Sequence, residues 1–301
     1  MEILGINRKR GLIIGLLFCL MAWWTPVLAQ EAAAPETAPE VKKEEPPVED
    51  KPTASVGVDI LSQYIWRGFA LSRNSAVFQP SLTAAYKGFS VNIWGNFDTG
   101  EDNPFLTPNF RGAKWNETDF TAGYSRELYA GTAIKSISAN IGVIYYALDS
   151  ANSPQGDSFE IYYGLAADVN WFKLAATANQ EVFHYPGWWL TLGISRVFEL
   201  PFKIQDNNNV TFELGHNFLF LFSRDQVAYP DFSSPGDAFN GPLAGQLYAT
   251  LYVPVHKYVT IAPKVGFWYA AGGNSTPLLS GASWDNQQNH IYGGLNVTFA
   301  Y

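Results

Sequence analysis

The chain has 301 residues, a formal net charge of −8 at pH 7, 16% aromatic residues and only 15% charged ones. An acidic balance of this size excludes the basic face that nucleic-acid binding needs, so no nucleic acid is expected as a partner. So many aromatic side chains with so few charges imply that something other than water faces much of the surface.

At the start, Arg8, Lys9 and Arg10 form a basic region, GLIIGLLFCLMAWW an apolar core, and VLA before Gln30 a small-residue cleavage site. Residues 1–29 therefore read as a cleaved secretory signal, too short for a ~30 Å hydrocarbon core and without a charged stop-transfer flank. Its removal takes Glu2 and three basic residues, net +2, and leaves the mature chain at −10. It also takes Cys19, the single cysteine, so disulfides and cysteine-held metals are not expected. Residues 30–53, built from Glu, Pro, Ala and Lys without an aromatic, bury too little apolar surface to order and read as a disordered acidic linker.

From Ala54 onward the pattern has a period of two, the signature of two-faced strands. The first, SVGVDILSQYIW, sets Val56, Val58, Ile60, Tyr64 and Trp66 against Gly57, Asp59, Gln63 and then Arg67. AVFQPSLTAAY and FSVNIWGNFD follow, joined by Lys87-Gly88. Nine more strands are predicted at about 117–126, 134–147, 158–170, 172–182, 187–198, 209–220, 243–255, 258–270 and 289–301. In the last, Ile291, Leu295, Val297, Phe299 and Tyr301 share one face, with Tyr292, Asn296 and Thr298 on the other. His216 on an apolar face and Pro263 within a strand resist the scheme. A bulge is the expected remedy for the first and a non-bonded site for the second.

Links after odd-numbered strands are long or turn-rich and those after even-numbered strands mostly tight, although those after the seventh and eighth fit poorly. The pattern matches the short periplasmic turns and longer external loops of transmembrane β-barrels. In hydrocarbon an unpaired backbone group costs several kcal/mol, so a spanning sheet must close on itself. The expected fold is all-β: a transmembrane antiparallel up-and-down β-barrel over 54–301, with twelve strands, both termini periplasmic and LNVTFAY pairing with the first strand. Aromatic residues near strand ends, Trp66, Tyr86, Trp115, Trp171, Trp188, Trp268 and Tyr301, read as girdles at the membrane interfaces.

Projecting polar faces inward places Asp59, Gln63, Arg67, Asn92, Asp119, Glu160, Asp168, Lys173, Asn179, Glu213 and Lys264 along the lumen as pore-lining residues. Acids outnumber bases there, which points to a weak cation preference. No zinc spacing, phosphate loop or paired-carboxylate signature is present, so neither a cofactor nor a metal is expected. DTGEDNP carries oxygen ligands without calcium-loop spacing and reads as a solvated turn. The histidines His184, His216, His256 and His290 have no Ser or Asp at a catalytic spacing, so the chain is not read as an enzyme.

The ending GGLNVTFAY, with Phe299 and Tyr301, resembles the C-terminal assembly signal of bacterial outer-membrane barrels. The stretch from Val58 to Asp98, with Tyr64, Ile65, Trp66, Arg67 and Gly68 in sequence, resembles the opening of the TorF-type porin family. These likenesses imply the bacterial outer membrane, with its lipids and barrel assembly machinery as partners, small solutes as cargo and an oligomer as an option. The expected function is a porin-like channel for passive diffusion. The alternatives are a closed barrel with a structural or surface-receptor role, or a secreted soluble β-protein that binds sugars.

Overall fold

The computed structural model describes residues 51–102, 111–149, 156–204 and 208–301; the expected signal and nearly all of the expected linker lie outside the described residues. The elements are β1 (Thr53–Leu61), β2 (Ile65–Trp66), β3 (Phe69–Ala70), β4 (Val77–Tyr86), β5 (Phe89–Asp102), β6 (Arg111–Ala130) and β7 (Ser136–Leu148). There follow β8 (Ser158–Asp168), β9 (Lys173–Glu181), β10 (Gly187–Ile204), β11 (Asn208–Ser223), β12 (Asn240–His256), β13 (Val259–Ala270), a short helix α1 (Ser275–Ala282) and β14 (His290–Ala300). Twelve strands, β1 and β4 to β14, form one closed antiparallel barrel in chain order, and β2 with β3 makes a separate two-stranded ribbon.

The seam runs from Ser55 opposite Ala300 to Leu61 opposite Gly294. It is locked at its end by a reciprocal pair: Ala54 N–H donates to the Tyr301 carbonyl at 3.1 Å, and Tyr301 N–H to the Ala54 carbonyl at 2.9 Å. With β1 also paired to β4, the described barrel has no unpaired edge.

Both barrel ends of the chain lie with the short described links, Lys87-Gly88, 131–135, 169–172 and Lys257-Tyr258, and the longer described links, 62–76, 224–239 and 271–289, lie at the opposite end. The awkward link after the eighth predicted strand resolves because β10 runs on to Ile204. Its ladder with β11 resumes at Lys203 opposite Asn209, past an irregularity that contains Pro201, which has no donor to give.

Outward positions are apolar: Val56, Leu82, Val91, Phe120, Leu247, Val265 and Phe299 are all exposed. A water-facing sheet would not carry such a continuous band, whereas hydrocarbon requires it. Tyr86, Trp171 and Tyr301 stand exposed at the short-link end and Trp115 is also exposed. Trp66 and Trp268 do not belong to the girdles: Trp268 is buried in the interior, and Trp66 packs against the same inner core.

Three further expectations are corrected. The first strand stops at Leu61, and residues 62–76 turn into the barrel, so Tyr64 is buried inside rather than facing lipid. His216 keeps its outward place with the β11–β12 register unbroken from Thr211 to Leu219; its Nε2 meets the Tyr269 hydroxyl at 2.7 Å, so a partner and not a bulge accommodates it. The described part of DTGEDNP, residues 98–102, is not a solvated turn, since β5 continues through Asp98 and Glu101, and both side chains are buried; Asn103 and Pro104 lie outside the described residues. Pro263 pairs with Leu295 on one side. Toward β12 the ladder shows no pair between Thr250–Lys264 and Val253–Ile261, which is where its missing N–H would fall.

Replacing Val265 with arginine should lower barrel stability by about 2–4 kcal/mol if that face meets the middle of the hydrocarbon. Urea unfolding of protein refolded into lipid vesicles measures this, and unchanged stability would mean that Val265 does not face lipid.

Candidate functional site: a corked lumen

The link between β1 and β4 does not extend from the barrel rim but folds down inside it. The reversal falls at Arg67 (φ +52°) and Gly68 (φ +94°), between β2 and β3. Gly68 is required twice over. Its backbone is left-handed, and a Cβ there would come within 2.9 Å of the Ala244 Cβ on β12.

At this tip the Arg67 guanidinium makes a bidentate pair with Glu160 on β8, each N–O distance being 2.7 Å. The two side chains are only 4% and 1% exposed. The planar cation also lies 4.6 Å from the Trp66 ring and 4.5 Å from the Trp189 ring, so two aromatic rings pack against it. Glu160 accepts two further bonds, from the Tyr146 hydroxyl at 3.0 Å and from Asn179 Nδ2 at 2.8 Å. A buried ion pair is tolerable when its lone pairs are filled in this way.

Aromatic packing spreads from the pair to the walls. Tyr64 meets Trp94 at 5.6 Å between centroids, and Phe69 and Tyr229 meet Trp189 at 6.4 and 5.4 Å. Leu278 and Leu279 of α1 join the same core from above. The β3 backbone is tied to that segment, since Ala70 N–H donates to Ser283 Oγ at 3.0 Å and Trp284 N–H to the Ala70 carbonyl at 2.9 Å. Gln63 Nε2 bridges the Ser72 carbonyl and Asp285 at 3.0 and 2.8 Å. The β1–β4 link and the β13–β14 link thus form one cork.

The walls around and below the cork are polar and mutually bonded. Lys264 pairs with Asp59 at 2.8 Å, and Asn296 also donates to Asp59. Glu213 accepts from Tyr248 and Tyr252 at 3.2 and 3.1 Å. Gln79, Asn96, Asn116 and Glu101 form an amide relay over three strands, each link 2.7–3.0 Å. Toward the short-link end small residues replace large ones, and the Tyr162 ring lies flat over Gly123 and Gly142. A Cβ on Gly142 would lie 2.4 Å from that ring.

Of the residues projected inward from sequence, Asp59, Asp119, Glu160, Asn179 and Glu213 are buried inside the barrel and Lys264 nearly so. Gln63 and Arg67 are also buried, but on the cork rather than the wall. Asn92 binds the Thr83 hydroxyl at 2.8 Å. Asp168 lies opposite Lys173 at the short-link end, with Lys135 3.9 Å away, far from the cork in strand position.

Sequence reasoning missed Glu117, Glu181, Tyr146, Trp189 and Tyr229. The first four follow the inward alternation of their strands, and extending it to the strand ends would have found them. Tyr229 sits in the β11–β12 link, and nothing in its local pattern marks it. There burial pushes the Tyr229 phenol well above its usual range, so it remains a neutral donor. Glu181 accepts backbone N–H bonds from Phe183, His184 and Tyr185, at 2.8–3.2 Å, and so organises the β9–β10 link at the mouth. Beside the cork lies a cavity of about 290 Å³ whose lining includes Tyr64, Trp66, Glu117, Tyr146, Glu181 and Tyr229.

A closed twelve-strand barrel with an apolar outside and a charged, bonded inside defines a membrane barrel of the outer-membrane kind. The chain belongs to the family described as bacterial protein of unknown function (Gcw_chp), whose model matches residues 48–235. A search of curated proteins finds no match. Among solved structures it is similar to the KdgM porin, at 10% identity and a TM-score of 0.44, over 82% of this chain and 99% of that one. It is also similar to CdiB from Acinetobacter baumannii, at 10% identity and a TM-score of 0.38, over 83% of this chain and 60% of that one. Salmonella typhi OmpF gives 8% identity and a TM-score of 0.34, over 83% of this chain and 97% of that one. These likenesses concern the barrel and carry no solute or activity to this chain.

Changing Glu160 to alanine strands the buried Arg67 cation and should destabilise the protein by about 3–5 kcal/mol. Adding Arg67→Met should restore much of that loss, because the unpaired charge is gone. Urea titrations of the two variants in lipid test the pair, and additive losses would show that the two residues are not coupled.

Proposed function

We propose that the chain is an outer-membrane channel for passive diffusion of small solutes, with both termini periplasmic, in which the inward-folded cork sets the width of the path. The observation that carries this is the division of the barrel: a lipid-fitted exterior around an interior of polar and charged side chains. A barrel serving only as an anchor has no need of such an interior. The opening stretch that resembles TorF-type porins, Tyr64 to Gly68, is the cork itself, which makes this segment the natural place to regulate passage.

Acids outnumber bases in the expected pore-lining set, Asp59, Asp119, Glu160, Asp168 and Glu213 against Arg67, Lys173 and Lys264. Arg67 and Lys264 are matched by Glu160 and Asp59, while Glu117, Asp119, Glu181 and Glu213 add negative charge to the interior. That supports a weak cation preference. Catalysis forms no part of this reading.

A closed barrel with a structural or receptor role is the second reading, favoured by the breadth of the cork's contacts from β5 across to β12. Planar-bilayer recording separates the two. The channel reading expects small, cation-favouring unitary currents from the wild-type protein and larger ones when residues 63–72 are replaced by a short Gly-Ser turn. Absence of unitary current at any voltage from the wild type would end it in favour of the closed barrel.

A further inference from the structure

The cavity beside the cork has a composition of its own. Tyr64, Trp66, Phe69, Tyr185, Trp189 and Tyr229 give it walls of aromatic rings, and the carboxylates of Glu117, Glu160 and Glu181 stand between them. No lysine or arginine lines it. Its volume of about 290 Å³ lies at the small end of ligand pockets. Leu148, Val227 and Ala228 bring it to the links at the long-link end of the barrel, so it opens at the mouth and not toward the termini.

The polar groups of the lining are already bonded within the protein. Glu160 accepts from Arg67, Tyr146 and Asn179, and Glu181 from Ser158 and from the backbone of the β9–β10 link. Asn116 donates to Glu101 and accepts from Asn96. A sugar therefore finds few open partners, and a primary ammonium would lose its water without gaining acceptors. Hydrogen bonds from neutral donors nevertheless leave a carboxylate its charge. Arg67 offsets Glu160, but Glu181 is bonded only by neutral donors among the described residues, and Glu117 lies against Tyr64 and Asp119. The negative charge of these two acids repels anions and favours a cation over a neutral ligand of the same shape. The rings point the same way, because the face of an aromatic ring attracts a cation. One cation already sits against this wall: Arg67 lies 4.6 and 4.5 Å from the Trp66 and Trp189 rings.

We infer that this cavity binds a quaternary ammonium group, a cation of choline type that carries N-methyl groups and no N–H. Such a group brings no donor for the occupied carboxylates to meet. Its methyl surface packs on the rings, and its charge is answered by Glu117 and Glu181. Nothing in this depends on conduction, because a corked barrel can hold such a ligand as well as a channel can. Failure of the conductance test and failure of this one are therefore separate results.

The test is calorimetric titration of the full-length protein at pH 8 in a maltoside detergent, which carries no ammonium headgroup. Choline and tetramethylammonium are compared with 3,3-dimethylbutanol, the uncharged carbon counterpart of choline, and with ethanolamine, which has the charge but also N–H donors. The expected result is saturable binding of choline or tetramethylammonium in the millimolar range or tighter, at least tenfold stronger than that of the alcohol or the primary amine. Glu117→Gln removes a charge and keeps the shape, and Tyr185→Leu removes a ring at the mouth. Each should weaken binding about tenfold while the heat-dependent gel shift of the folded barrel is unchanged. No saturable heat with either quaternary cation, equal or tighter binding of 3,3-dimethylbutanol or ethanolamine, or full affinity in folded Glu117→Gln would each overturn the assignment.

Discussion

Closure is the constraint from which the rest of this structure follows. A strand edge in hydrocarbon leaves a row of backbone groups without partners, at several kcal/mol each, and no side chain can make that good. The pairing of β1 with β14, sealed at Ala54 and Tyr301, removes the only edges an up-and-down sheet would have. Once the sheet is closed, alternate residues have just two destinations. The outward set must suit lipid, and the inward set is released from that demand and can be polar.

The interior then poses a second problem, because charges enclosed by a barrel wall are poorly solvated. The molecule meets it with reciprocal bonding: Arg67 with Glu160, Lys264 with Asp59, and the amide relay from Gln79 to Glu101. Arg67 holds the cork through a charge that could not remain buried alone. The same contact that fills the lumen is therefore one that a change at Glu160 would loosen, which links the packing to the function proposed for it. The aromatic residues that flank Arg67 also wall the cavity, so cork and cavity share the Trp66 and Trp189 rings.

Much of the barrel was legible in the sequence because membranes enforce a strict grammar. The two-residue period of β8 placed Glu160 and Tyr162 inward, and that of β14 did the same for Tyr292 and Thr298; the four are buried. Link lengths gave the antiparallel order. The cork was not legible for a physical reason: SQYIW continues the alternation of SVGVDIL, and only the left-handed backbone at Arg67 and Gly68 shows that it turns inward. Helix α1 was read as part of a loop, since eight residues with Pro277 near their start carry little periodicity. Partner choice across the lumen, as between Arg67 and Glu160, depends on register summed over several strands and is not written in any local pattern.

The seam can be tested directly, because Cys19 is the only cysteine in the chain and its replacement leaves no other thiol. Gly57 and Thr298 face each other across β1 and β14, and a Cβ at Gly57 would come 3.0 Å from the Thr298 hydroxyl. Neighbouring residues at such a position in an antiparallel pair suit disulfide geometry. With Cys19 removed, the Gly57→Cys/Thr298→Cys variant is expected to form an intramolecular disulfide under mild oxidation in membranes, seen as a gel mobility shift that reductant reverses. Two free thiols in the folded, membrane-inserted protein would contradict the closed barrel.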